Sequence, residues 1–289
     1  MAQPVKSKYR IPFDGEFKIK DLPTGPPEGA PKKRELEAQL EELVEEIGEL
    51  QRKLYASDRH SVLLVFQAMD AAGKDGTIRA LLTGVDPTGC QVHAFKAPST
   101  EELDHDFLWR TAVRLPERGR IGVFNRSYYE EVLVVRVHPE YLNSQRLPNV
   151  DLDQIWDERL ESIRDHERHL ARNGTVVLKF FLNVSPEVQR ERLLERIEDP
   201  AKNWKFDLKD VDEREHWLAY MKAYQRALAA TSRPEAPWFA IPADDKAYMR
   251  VCVAEIVVDT LKSLDLAYPE TSPQVAEKLH EMRARLLEK

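Results

Sequence analysis

The run Gln67-Ala68-Met69-Asp70-Ala71-Ala72-Gly73-Lys74-Asp75-Gly76-Thr77 follows a short apolar stretch and leads into a helical one. Small residues let backbone N–H groups turn inward, a helix N-terminus adds its positive end, and a lysine can reach terminal phosphates. These features make Ala71, Ala72, Gly73, Asp75, Gly76 and Thr77 a candidate phosphate cradle with Lys74 as its cation. Two positions depart from the usual loop. Ala68 stands where a first glycine is expected, and Asp75 stands where a Ser or Thr hydroxyl would meet magnesium. Two unit charges about 4 Å apart repel by about 4 kcal/mol at an effective dielectric near 20. Asp70 and Asp75 beside a bound anion therefore imply Mg²⁺ between carboxylate and phosphate. Asp75 also suits the first turn of a helix, whereas no capping role accounts for Asp70.

A second group follows the third expected strand, in Phe124-Asn125-Arg126-Ser127-Tyr128-Tyr129-Glu130-Glu131. Loops of this kind are usually partnered by a strand ending in a metal-holding Asp, and here the residue is Asn125. Glu130 is the candidate to recover that carboxylate, giving an expected metal set of Asp70, Asn125 and Glu130. Arg126, at a strand's carboxyl end, offers the planar fork that pairs phosphate oxygens. Lys96, just after the second strand, and Arg110 on the next helix are candidates of the same kind. The charges between Arg190 and Arg226 alternate in sign as on a solvated face. The turn Pro200-Ala201-Lys202-Asn203-Trp204-Lys205-Phe206 differs, setting two lysines and two aromatics between helices as in a lid that closes over phosphate. His166 and His169 lack zinc-binding spacing, and Cys90 and Cys252 read as buried thiols.

The elements that must hold these residues are legible from periodicity. Short β-branched runs at Val62–Gln67, Gln91–Phe95, Ile121–Phe124, Thr175–Leu182 and Trp238–Ile241 alternate with helices. Those helices are expected over Gly76–Val85, Ser99–Leu115, Asp151–Asn173, Ser185–Asp199, Asp210–Thr231 and Asp245–Leu266. Ser99 with Glu102 forms a capping box, and Pro116 ends that helix. Such alternation implies right-handed crossovers and a parallel sheet with ligands beyond the strands' carboxyl ends. Residues 1–30 are rich in proline and glycine, which predicts an extended arm on the surface of a single domain over 31–289. From Pro31 to Ala56 the leucines and Ile47 fall at heptad spacing, so this helix either packs on its own domain or dimerises. A chain of 289 residues that is 42% hydrophobic builds a core, and its net charge of −7 argues against a general nucleic-acid binder. No apolar run approaches the roughly 20 residues of a membrane span, and no secretory signal is visible, so a soluble, cytoplasmic protein is expected.

Taken together, these residues resemble the family-2 polyphosphate kinases. The likeness lies in Met69 to Thr77, in Lys96-Ala97-Pro98-Ser99 with Arg110, in Phe124 to Tyr129, and in Asn203-Trp204-Lys205-Phe206 ahead of Trp217. The resemblance spans roughly residues 8–268. It implies an α/β, three-layer parallel-sheet P-loop kinase fold, thymidylate-kinase-like, with a helical lid at about 190–215. The implied activity is Mg²⁺-dependent phosphoryl transfer between inorganic polyphosphate and adenine or guanine nucleotides, by a homo-oligomer acting on neither nucleic acid nor membrane. Carried onto this chain, Lys74 cradles phosphate and Asp70 holds magnesium and orients the acceptor. Lys96, Arg110, Arg126, Arg190 and Lys205 line the phosphates. Asn125, where many members carry Asp, resembles the subgroup that accepts both mono- and diphosphates. An ATP-dependent nucleotide kinase of the same fold, or a non-catalytic assembly protein, would share parts of this pattern.

Overall fold

The computed structural model describes residues 5–287; residues 1–4, where the expected arm begins, and 288–289 lie outside the described residues. Five strands form, β1 at Ser61–Gln67, β2 at Cys90–Ala94, β3 at Ile121–Asn125, β4 at Thr175–Asn183 and β5 at Trp238–Pro242. They pair in the order β2-β3-β1-β4-β5, all parallel. Every residue of β1 and β5 is buried, as expected when helices cover both faces of a parallel sheet. The main helices are α1 (Lys33–Ser57), α2 (Lys74–Leu82), α3 (Ile155–Arg172), α4 (Pro186–Glu198), α5 (Lys209–Glu215), α6 (Trp217–Thr231), α7 (Lys246–Lys262) and α8 (Pro273–Leu287). β1 lies at the centre of the sheet, and its own connection runs to β2 on one side while those leaving its neighbours β3 and β4 run toward the other. A crevice therefore opens above the carboxyl end of β1.

Helix α1 packs on its own chain, the first of its two readings. Leu36, Ile47, Leu50 and Leu54 are buried, and the helix lies along α7, whose residues are buried on nearly every side. No described helix is long and apolar enough to cross a membrane.

Three local expectations differ from what forms. The continuous helix over Ser99–Leu115 is two single turns, Thr100–Leu103 and Trp109–Ala112, although the Ser99–Glu102 capping box is present. Asp106 interrupts it, because its carboxylate accepts the Leu108 amide at 2.9 Å and competes with the helical bond. The helix expected over Asp210–Thr231 breaks at His216 into α5 and α6. Cys90 is only partly buried, since it opens the edge strand β2, while Cys252 is buried in α7.

The N-terminal segment is stitched to the opposite edge. Ile11 N donates to Trp238 O at 2.8 Å and Ala240 N to Tyr9 O at 2.8 Å, so the arm caps β5 as a short antiparallel partner. This pairing satisfies an edge that would otherwise be open to another chain. Ile11 itself is 1% exposed within the core. Ile11→Ala is expected to lower unfolding free energy by about 2–4 kcal/mol in urea titrations while leaving activity per folded molecule unchanged. A variant as stable as the parent would mean that the arm only rests on the surface.

Candidate functional site

β1 ends at Gln67 and α2 begins at Lys74, so the loop from Ala68 to Gly73 sits at the mouth of the crevice. Ala71 has φ +59° and Gly73 φ +111°, and a side chain on Gly73 would also meet Met249 Cε at 3.1 Å. Ala71 holds a left-handed conformation that costs an L-residue roughly 1–2 kcal/mol. Contacts from α4 hold the loop in that shape. Gln189 Nε2 donates to Asp70 O at 3.0 Å, and buried Arg192 donates through NH1 to Ala71 O at 3.2 Å and Ala72 O at 2.8 Å. Its NH2 reaches Ala243 O and Asp244 O beyond β5 at 2.8 and 2.9 Å. In a trans peptide C=O and N–H point in opposite directions. Holding the carbonyls of Asp70 and Ala72 therefore turns the amides of Ala71 and Gly73 to the other side, as an anion cradle requires.

Lys74 is 9% exposed and folds back on the loop, with Nζ 2.9 Å from Ala68 O. Burial, then the nearby charge of Arg126, push its ammonium down from 10.5 to about 8, against the pull of Asp70, Glu130 and Asp75. Without ligand, Lys74 is charged below about pH 8 and loses its proton above it. The unfolded chain holds more protons between about 8 and 10.5, so this group makes the ligand-free fold more stable as pH rises through that window. An arriving phosphate restores the charge, so binding above pH 8 must take up a proton. Affinity for tripolyphosphate is expected to fall about twofold from pH 7 to 8 and by up to about tenfold by pH 9. Calorimetric titrations giving one affinity across that range would remove Lys74 from the binding step.

Parallel pairing sets Asn125 beside Phe66, and this brings the end of β3 against the loop. Arg126, at φ +64°, donates through NH2 to Asp70 Oδ1 at 2.7 Å and through NH1 to Glu130 Oε2 at 2.9 Å. Glu130, more than Asp70, holds the guanidinium in its charged form. Asn125 Nδ2 donates to Asp75 Oδ1 at 2.6 Å. Arg126 thus joins Asp70 and Glu130 close to Lys74, with the Asp75–Asn125 pair beside them.

Other expected residues lie further out. The Thr77 hydroxyl is turned back to Gly73 O at 3.0 Å, and Gly76 packs near the guanidinium of Arg250, a cation the sequence did not single out. Arg110 donates to Lys96 O at 2.6 Å and lies 5.4 Å from the Phe95 ring centre, while the Lys96 side chain faces solvent. Arg190 is exposed on α4, and Lys205 is exposed with Nζ 5.0 Å from the Trp204 ring centre. Arg192 and Gln189, which hold the loop carbonyls, are the residues of this site that sequence reasoning missed. Their spacing of three on a helix that also buries Leu193 was the available signal.

Asp70 and Glu130, each about a quarter exposed, give one named oxygen apiece to Arg126. Among the described residues, no three His, Cys, Asp or Glu side chains converge as a metal cage. A pair of partly exposed carboxylates suits Mg²⁺, which is held by one or two carboxylates together with water and substrate phosphate.

The family profile described as Polyphosphate kinase 2 matches residues 30–269. An ADP-polyphosphate phosphotransferase of Rhodopseudomonas palustris is 55% identical over 246 residues, covering 84% of this chain and 85% of its own. An AMP/ADP-polyphosphate phosphotransferase of Meiothermus ruber is 44% identical over 266 residues, covering 91% and 95%. The crystal structure of polyphosphate kinase 2 from Arthrobacter aurescens superposes with a TM-score of 0.89 at 35% identity, covering 100% of this chain and 99% of that one. With the loop after β1 and the Asn-Arg end of β3 meeting in one crevice, the chain belongs to the polyphosphate kinase 2 family.

Proposed function

We propose that this protein transfers phosphoryl groups between inorganic polyphosphate and nucleoside mono- and diphosphates, taking AMP or ADP to ATP. The observation that carries the reading is the meeting of Lys74, Arg126 and Asp70 above β1, two cations and a carboxylate around a cradle of amides. An acceptor phosphate oxygen attacks the terminal phosphorus of the chain in line, a new P–O bond forms, and the bridging P–O bond breaks toward the shortened chain. Such transfer needs positioned charge and no covalent enzyme intermediate. The loop amides and Lys74 hold the phosphates on one side, and Arg126 holds the transferring group. Arg126 is engaged by Asp70 and Glu130 in the ligand-free protein, so substrate entry exchanges carboxylate for phosphate on its guanidinium. Asp70, with Glu130 near it, would hold Mg²⁺, which neutralises phosphate charge. Asp75 and Asn125 orient each other beside the metal and do not form a cage.

The segment from Arg190 to Glu215 acts as the lid. Its root is tied by Arg196 to Asp210 at 3.1 Å and by Arg214 to Gln189 at 2.5 Å, while Trp204 and Leu208 at its tip are 78% and 80% exposed. Arg190 and Lys205 would reach phosphate on closure, and Lys96 and Arg110 line the acceptor side. The enzyme acts in the cytoplasm as a homo-oligomer.

Purified protein with Mg²⁺ and polyphosphate, given ADP or AMP in the presence of a myokinase inhibitor, is expected to make ATP from both. ATP from ADP alone would reject the dual-acceptor reading of Asn125. Turnover of a nucleoside monophosphate with ATP and none with polyphosphate would overturn the donor assignment.

A further inference from the structure

Lys179 lies in the middle of β4 and is 0% exposed, a costly place for an ammonium group. All three of its donors find partners, at 2.5 Å to Glu167 Oε2, 2.9 Å to Tyr129 Oη and 2.9 Å to Thr231 O. Glu167 on α3 is 1% exposed, and its other oxygen, Oε1, accepts from the hydroxyls of both Tyr128 and Tyr129 at 2.9 Å. Thr231 at the end of α6 closes the cluster, accepting from Trp238 Nε1 at 2.9 Å. Well-packed apolar residues often replace a buried ion pair with no loss of stability, so stability alone is a weak account of this one.

The cluster's place in the chain supplies a stronger account. Tyr128 and Tyr129 follow Arg126 by two and three residues, in the short 3₁₀ turn Tyr128–Val132 that also carries Glu130. Arg126 itself has a left-handed backbone at φ +64°, a conformation its surroundings must impose. On the side nearest β1, Arg126 N donates to Phe66 O at 3.1 Å. Buried Gln67, with its amide nitrogen toward Glu130, donates to Glu130 Oε1 at 2.8 Å and accepts from Ser127 N at 3.0 Å. On the far side, this turn is anchored by the two tyrosine hydroxyls, both on one carboxylate oxygen, with Tyr129 Oη also 2.8 Å from Thr231 Oγ1. Hydrogen bonds to an ionised acceptor are stronger and more directional than neutral ones. Two of them on one oxygen allow both rings, and the backbone between them, a single placement.

We infer that the Glu167–Lys179 pair is a positioning device for phosphoryl transfer, fixing the Arg126 guanidinium through Tyr128 and Tyr129 from the side of the turn that faces α3. The inference rests on the proposed role of Arg126 in the reaction. Glu167 and Lys179 touch no reacting atom and act only through the turn. Loss of the carboxylate charge removes an acceptor that both tyrosines and Lys179 share. In Glu167→Gln an amide donor must face either the ammonium or a hydroxyl, and the turn relaxes.

A double-mutant cycle with Arg126→Ala tests this, using polyphosphate and ADP at saturation, with folding checked by circular dichroism and thermal melting. Glu167→Gln is expected to lower kcat about 10- to 100-fold, the scale of an ångström's misplacement, with both KM values within about threefold. In the Arg126→Ala background the same change is expected to lower kcat less than about twofold, because the group it positions is gone. A merely structural role would cost the same factor in both backgrounds, and that result overturns the inference. Should Glu167→Gln not fold, Tyr129→Phe, which keeps the ion pair, runs the same cycle. A crystal structure of the folded variant reads the positioning without turnover. Arg126 shifted from Asp70 and Glu130 supports the device, and Arg126 unmoved overturns it. A wild-type protein inactive with polyphosphate overturns the reaction assignment, and the crystal structure still decides the positioning.

Discussion

Lys74→Ala lowers kcat with polyphosphate and ADP by about 10²- to 10³-fold, equivalent to about 3–4 kcal/mol of barrier, while the melting temperature stays within a few degrees of the parent. The two halves of this expectation have one physical origin. The ammonium is buried and its protonated form is disfavoured where it sits, so its removal relieves desolvation at the cost of two hydrogen bonds to Ala68 O and Met69 O. Its value appears only when phosphate arrives, and most of it when charge spreads over the transferring group. Steady-state kinetics with a thermal melt of the same preparation check both halves. A folded Lys74→Ala protein retaining more than about a tenth of parental kcat would show that the amide cradle works without its lysine.

Arg126→Lys is the second large effect, a fall in kcat of about 10³-fold with AMP and ADP alike. The guanidinium has two separated arms, one on Asp70 and one on Glu130. A planar fork can exchange one carboxylate for a phosphate while keeping the other, whereas an ammonium is a single point charge and cannot span both. Positive charge is conserved in this substitution, so its loss of rate separates geometry from charge. The stability change is expected to be small, because the residue is partly exposed and lysine occupies the same backbone no worse than arginine. A loss confined to one acceptor would assign Arg126 to acceptor recognition and remove it from the transferring group.

Much of this site was readable before folding because its signals are short-range. The small residues around Lys74 and the switch from strand to helix periodicity lie within a dozen residues, and all report the same loop. Arg126 was readable because an arginine closing a buried strand has few bland explanations. The helix over Ser99–Leu115 misled because its cap was real and the competing Asp106 bond is invisible to periodicity. Arg192 was passed over for a related reason. On a helix dense in charges it resembles its solvated neighbours, and only the packing of α4 against the loop makes it a clamp on two backbone segments.

By itself the sequence determined the strand and helix alternation, the small-residue loop around Lys74, the arginine beside it and the family, because each rests on neighbouring residues or on their pattern along one element. The tertiary structure alone decided which charges are partners. Asp70 and Arg126 stand 56 positions apart in the chain and 2.7 Å apart in space. Lys179, which the sequence placed only within the strand expected over Thr175–Leu182, meets Glu167 and the tyrosines that follow Arg126 only once β4 is paired and α3 laid across it. Periodicity tells which face of an element is buried. Which buried polar group meets which is set by crossover connections that join distant segments, and such pairings leave no local trace in the chain.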